Sequence, residues 1–109
     1  VITNGGVDTQ RGKLRSLGME RWLRADLVFI SDAVGVMKPA PEIFRMAQTA
    51  AGGGACVYVG DSLTQDIAGA GAAGFTTVWM NRTGEAAGTI VPAHTVCSEQ
   101  ALLECLHAL

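Results

Sequence analysis

Cys56-Val57-Tyr58-Val59-Gly60-Asp61-Ser62-Leu63-Thr64-Gln65-Asp66 is a short apolar run that ends at a glycine and turns at once to acid. Asp61 follows Gly60 directly, and Asp66 comes five residues later. Gly69, Gly71 and Gly74 then punctuate an alanine-rich segment. The pattern predicts a buried strand, a tight turn and a helix. In open α/β sheets, ligands bind just outside the carboxyl ends of the strands. Asp61 is expected at such an end, with Asp66 in the first helical turns on the same side. Two carboxylates there suit a hard cation held through oxygen. The same spacing also suits helix-start acids favoured by the macrodipole, and spacing alone leaves both readings open.

Working outward, the elements alternate. Val1 to Gly6 reads as the end of a strand running into a turn, so the chain is expected to begin in mid-fold. Asp8 or Thr9 is placed to cap a helix through Leu17, with Leu14 and Leu17 on its apolar face and Gly18 as its stop. Met19 to Leu23 reads as a short turn or helix with Trp22 and Leu23 packed inward. Leu27-Val28-Phe29-Ile30 is a continuous apolar run, as expected of a strand buried on both faces. Ser31 to Pro39 reads as a loop. Pro41 suits the first turn of a helix to about Ala51, with Ile43, Phe44, Ala47 and Ala51 as its stripe. Gly52-Gly53-Gly54 ends it. This glycine run precedes a strand and does not follow one, so it is no dinucleotide-binding loop.

Beyond the Asp61 stretch, a small-residue helix is expected from about Thr64 to Ala73, and Thr76 to Met80 reads as a further strand. A polar loop runs from Asn81 to Pro92, Thr95-Val96 forms a short last strand, and Ser98 caps a final helix. Ala101, Leu102, Cys105, Leu106 and Leu109 are its core-facing side. Strands alternating with helices predict a parallel sheet covered on both faces, a three-layer α/β/α Rossmann-like fold.

Composition narrows the function. With 109 residues the chain is expected to be one domain, and 49% hydrophobic against 17% charged residues argues against disorder. A net charge of −2 gives no basic footprint for nucleic acid. No apolar run approaches the ~20 residues of a membrane span. Cys56, Cys97 and Cys105 are odd in number and lack metal-type spacing; free thiols and a cytoplasmic location are expected.

In a parallel sheet all the carboxyl ends face one rim, so the residues expected there can be collected. They are Thr3 and Asn4, then Ser31 and Asp32 with Lys38 shortly after, then Asp61, Ser62 and Asp66, then Asn81 and Arg82. Singly, each is an ordinary turn or surface residue. Together, a hydroxyl, an amide, an ammonium group and carboxylates suit a phosphoryl group, with the backbone N–H groups of Asn4 and Gly5 as further donors.

Three segments, in order and spacing, resemble the haloacid dehalogenase-like hydrolases, a family of Mg²⁺-dependent phosphatases with an aspartate nucleophile. Val1-Ile2-Thr3-Asn4-Gly5 resembles the family's second motif. Val34-Gly35-Val36-Met37-Lys38-Pro39-Ala40-Pro41-Glu42-Ile43-Phe44 resembles the third, and Val59-Gly60-Asp61-Ser62-Leu63-Thr64-Gln65-Asp66 the fourth. The resemblance implies that Thr3 binds the phosphoryl group with Asn4 and Gly5, and that Lys38 steadies nucleophile and phosphoryl group. It implies that Asp61 contacts Mg²⁺ and that Asp66 supports catalysis. It implies hydrolysis of a small phosphorylated metabolite through an aspartyl-phosphate. The wording around Lys38 is closest to the subgroup with a helical cap inserted near the N-terminus.

The family's first motif, a strand ending in Asp-x-Asp, has no counterpart, and no Asp-x-Asp occurs anywhere in the sequence. That motif supplies the nucleophile, the general acid/base and most of the metal site. Residues 1–109 therefore read as a partial core domain without first motif or cap, lacking the family's first, central strand. By themselves they are expected to be inactive and to hold Mg²⁺ weakly or not at all. The open sheet edge has three expected outcomes: a complementing chain, a homo-oligomer, or a sheet closed up in altered order. A non-catalytic phosphate- or metal-binding module, or a subunit of a split assembly, is the alternative function. Dehalogenation on the same fold is a third, disfavoured by the carboxylate pair because that chemistry needs no cation.

Overall fold

The computed structural model describes residues Val1–Leu109. The chain divides into two compact units, Val1–Gly54 and Ala55–Leu109.

The first unit is built around two short parallel strands, β1 (Ile2–Thr3) and β2 (Phe29–Ile30), with Ile2 opposite Phe29 and Thr3 opposite Ile30. Parallel neighbours need a crossover. Here it is helix α1 (Val7–Ser16) followed by 3₁₀ turns at Met19–Arg21 and Ala25–Leu27. Helix α2 (Ser31–Val34) and helix α3 (Pro41–Ala50) complete the unit. Pro41 opens α3, where a missing N–H is harmless. Ile43 and Phe44 of α3 are fully buried and Ile30 nearly so. Each such side chain contributes about 2 kcal/mol by leaving water.

The second unit carries three parallel strands in the order β3 (Val57–Gly60), β4 (Thr76–Met80) and β5 (His94–Val96). A π-helical turn at Leu63–Ile67 and helix α4 (Ala68–Ala72) cross from β3 to β4. Helix α5 (Glu99–Ala108) closes the unit. The Ser98 side chain accepts from the Ala101 N–H, as an N-cap should. Leu63, Ile67 and Trp79 form the core beside the turn, with Ala87 and Ile90 packed on it.

Several expectations need correction. β2 covers only Phe29–Ile30, because Ala25–Leu27 winds into a 3₁₀ turn. Ser31–Val34 is a short helix ended by left-handed Gly35, where a loop was expected. Trp22 is 75% exposed and does not pack inward. Left-handed Gly18 starts the turn that carries it outward, and the Arg21 guanidinium lies 5.0 Å from the ring centroid instead. Leu17, just past the end of α1, is likewise exposed, and α1 itself has no buried residue. β3 is an edge strand whose Val57 and Val59 are exposed, so it is not covered on both faces. Cys56 lies just before it. No side chain of α5 is buried, although its apolar stripe was expected to face the core. The strands stand in two sheets, β1-β2 and β3-β4-β5.

Candidate functional site

In the first unit the candidate residues gather at the carboxyl end of β1. The Thr3 hydroxyl donates to Gln10 Oε1 at 2.8 Å. Gln10 lies in α1, and its side chain crosses Gly5 so closely that a Cβ there would stand 2.5 Å from its amide nitrogen. Gly5 also has φ +140°, which side-chain-bearing residues rarely adopt. The Gly5 N–H donates to Ser31 Oγ at 2.8 Å, and the Asp32 N–H donates to the Gly5 carbonyl at 3.3 Å. Ser31 is buried, at the end of β2. The turn after β1 is thus fixed by the residues that follow β2.

Asn4 and Lys38, 34 residues apart, are joined by two hydrogen bonds. Asn4 Nδ2 donates to the Lys38 carbonyl at 3.0 Å, and the Lys38 N–H donates to Asn4 Oδ1 at 2.9 Å. A side-chain amide carries a donor and an acceptor side by side, so it can match a backbone N–H and C=O as another strand would. The pair brings the Thr3-Asn4 turn and the Lys38 loop together.

In the second unit the turn after β3 is organised by Asp66. Its side chain is 5% exposed, and Oδ2 accepts the Ser62 N–H at 3.1 Å. Asp66 also accepts a hydrogen bond from the Tyr58 hydroxyl. Burial, then the Asp66 charge and that hydrogen bond, then the Asp61 charge, hold the Tyr58 phenol well above its ordinary pKa. A Cβ on Gly60 would lie 2.5 Å from Cβ, Cγ and Oδ2 of Asp66, so the carboxylate occupies the space a side chain would need. The Ile67 N–H reaches back to the Ser62 carbonyl at 3.1 Å, a five-residue step that gives the turn its π character. Ser62 Oγ accepts the Gln65 N–H. Asp61 itself is exposed at the strand end, its carbonyl accepting Trp79 Nε1–H at 3.0 Å.

Of the other expected rim residues, Asn81 closes its own loop by a two-way bond to Glu85, and Arg82 pairs with Glu99. Gln10 and Trp79 bear on the site without any sequence signal: Gln10 is an ordinary helix polar residue, and Trp79 reads as core. For a metal, the donors of the second unit have the right chemistry, since carboxylate oxygens suit a hard cation. No group of three or more His, Cys, Asp or Glu side chains converges as a complete cage would require. Asp61, exposed at the end of β3, has the oxygen donors such an ion takes. No helix is long and apolar enough to cross a membrane.

The sequence profile of haloacid dehalogenase-like hydrolases matches residues 1–74. The chain belongs to this family. The matched span includes Thr3, Lys38, Asp61 and Asp66. The phosphoserine phosphatase of Thermus thermophilus is 42% identical over 84 residues, which are 75% of this chain and 33% of that protein. The pyrimidine 5′-nucleotidase YjjG of Escherichia coli is 37% identical over 113 aligned positions, 98% of this chain and 49% of that one. The chain thus spans a third to a half of the length of these relatives. Among solved structures, the HAD-hydrolase YfnB of Bacillus subtilis with bound magnesium superposes with a TM-score of 0.87 at 31% identity, over 96% of this chain and 47% of that one. A 2-haloacid dehalogenase of Pseudomonas syringae gives 0.78 at 31%, over 87% and 42%. The family's α/β Rossmann-like fold is therefore the fold of this chain.

Proposed function

We propose that these 109 residues are the C-terminal part of the core of a Mg²⁺-dependent phosphatase that hydrolyses small phosphorylated metabolites. The two-way bond between Asn4 and Lys38 carries the reading. It ties a lysine-bearing loop to the end of a strand that also carries a hydroxyl, the grouping a phosphoryl site needs. In this reading the Thr3 hydroxyl turns its proton from Gln10 to a phosphoryl oxygen beside the Asn4-Gly5 turn, whose Gly5 N–H is already taken by Ser31, and the Lys38 ammonium group neutralises charge that develops there. Asn4 serves through its grip on the Lys38 loop as much as by direct contact. The second unit supplies Asp61 as an oxygen ligand for Mg²⁺, and Asp66 keeps the Asp61 turn in shape. When bound, the cation would supply charge neutralisation at the phosphoryl group. Relatives named for phosphoserine and for pyrimidine nucleotides support the substrate class.

The attacking carboxylate and the leaving-group acid lie outside these residues, since Asp-x-Asp is absent from the sequence. The chain with Mg²⁺ and p-nitrophenyl phosphate is expected to give no turnover above buffer. Inorganic phosphate is expected to shift the backbone amide signals of Thr3, Asn4 and Lys38, and Lys38→Met to abolish that shift. Turnover by this chain alone, unchanged by Asp61→Asn, would sink both the incompleteness and the site assignment.

A further inference from the structure

Asp61 enters the proposed chemistry through its carboxylate, yet its main chain is held by a residue with no part in that chemistry. Trp79 lies in β4, opposite Gly60 in the ladder, and is 3% exposed. Its indole rests on Leu63 and Ile67 of the π turn. A buried indole N–H needs an acceptor, but many would serve. The one it finds is the Asp61 carbonyl, at 3.0 Å. The other end of that same peptide, the Ser62 N–H, donates to Asp66 Oδ2 at 3.1 Å. A peptide unit is a rigid plane. Held at its oxygen from β4 and at its N–H from Asp66, the 61–62 plane cannot rotate, and the backbone that aims the Asp61 side chain is fixed with it.

We propose that Trp79 is a positioning residue for Asp61: its indole N–H, acting with Asp66 on the opposite end of the 61–62 peptide, aims the Asp61 carboxylate toward a divalent cation. This rests on the reading of Asp61 as a cation ligand. The consequence is specific to the N–H and not to the bulk of the ring. A phenylalanine keeps an aromatic ring over the π turn but releases the Asp61 carbonyl.

Mn²⁺ titrated into the ¹⁵N-labelled chain tests this, because paramagnetic broadening detects even weak binding. The Asp61 and Ser62 amide signals are expected to broaden saturably, with the indole signal of Trp22 as an internal control. Trp79→Phe is expected to raise the apparent Mn²⁺ dissociation constant about fivefold, the size of one net hydrogen bond. Val96→Ala, a core truncation in β5, is expected to lower stability and leave that constant unchanged. Should Trp79→Phe fail to fold, Mg²⁺ added to the unaltered chain serves instead. The Trp79 indole N–H is expected to shift with the same midpoint as the Asp61 amide. An unchanged constant in Trp79→Phe, or an indole N–H that ignores Mg²⁺ while the Asp61 amide responds, overturns the positioning role alone. Asp61 as a single ligand is expected to bind weakly, so the titration runs to millimolar Mn²⁺; no broadening around Asp61 there overturns the cation reading and this role together.

Discussion

The two groups of candidate residues, one in each unit, are held in opposite ways. In the first unit, Asn4 reaches across 34 residues of sequence to Lys38, and Gly5 is met by Ser31 across 26. In the second, Asp66 reaches back four residues to Ser62 and lies against Gly60. One half is a tertiary construction between two loops. The other is a local fold-back in which a buried carboxylate takes the place of a glycine's missing side chain. A local fold-back is sensitive to atoms at its own centre. A long-range tie is sensitive to the two groups that make it, and it can be cut without disturbing either element's local structure.

The largest expected effect tests the local half. Gly60→Ala would place a methyl group 2.5 Å from three Asp66 atoms. Asp66 is pinned by the Ser62 N–H and the Tyr58 hydroxyl, so it cannot give way cheaply. Destabilisation of about 3 kcal/mol is expected, read from the urea midpoint of the second unit's signals. A neutral result would mean that the fold-back is plastic and the contrast between the halves is false.

Cutting the long-range tie comes next. Asn4→Ala removes a donor and an acceptor that are only partly buried, and the released Lys38 N–H and carbonyl can turn to water. A loss of about 2 kcal/mol is expected, with faster hydrogen exchange at the Lys38 amide and an unchanged exchange pattern within α1 and α3. Spread of the disturbance through α3 would show that the clamp shapes the unit and does not merely join two loops.

The smallest effect is a pH dependence. Tyr58 is the sole tyrosine, and its folded-state pKa lies above the ordinary value of 10.0. The neutral phenol is the form the fold prefers. Its contribution to stability is fully present below pH 10 and is lost as rising pH ionises the unfolded chain first. Tyrosinate absorbance is therefore expected to be absent from the folded chain just above pH 10 and to appear on adding urea. Tyr58→Phe is expected to lessen the fall in stability above that pH. Ordinary ionisation of Tyr58 in the folded chain would remove the Tyr58 hydroxyl from the Asp66 cradle and weaken the local half of the comparison.

Legibility follows the same division. The Gly60-to-Asp66 turn could be read from the sequence because the signals that announce it lie within a few residues: an apolar run, a glycine, two acids at helix-start spacing; the Trp79 hydrogen bond to the Asp61 carbonyl had no such signal. Pro41 announced α3, and Ile43 and Phe44 its buried face, for the same reason. The errors fall where exposure is decided by how the chain turns and by what stands beside an element, and composition states neither. Trp22 is as apolar as any core residue, but the left-handed Gly18 before it sets the direction of the turn, and Arg21 covers the ring. Val57 and Val59 have a strand's composition, yet their exposure depends on what stands beside an edge strand, which composition cannot state. The α5 stripe was legible as a stripe and not as a buried one.

By itself the sequence determined the alternation of strands and helices, the family, and the polar residues that follow the first three strands: Thr3, Lys38, Asp61 and Asp66. It did so because hydrophobic period, glycine, proline and charge act over a few residues. Only the tertiary structure decided which groups grip which: Asn4 on Lys38, Ser31 on Gly5, Trp79 on the Asp61 carbonyl. Hydrogen bonds need donor and acceptor within about 3 Å and in line, and no sequence interval of 18 to 34 residues specifies that without the fold between them.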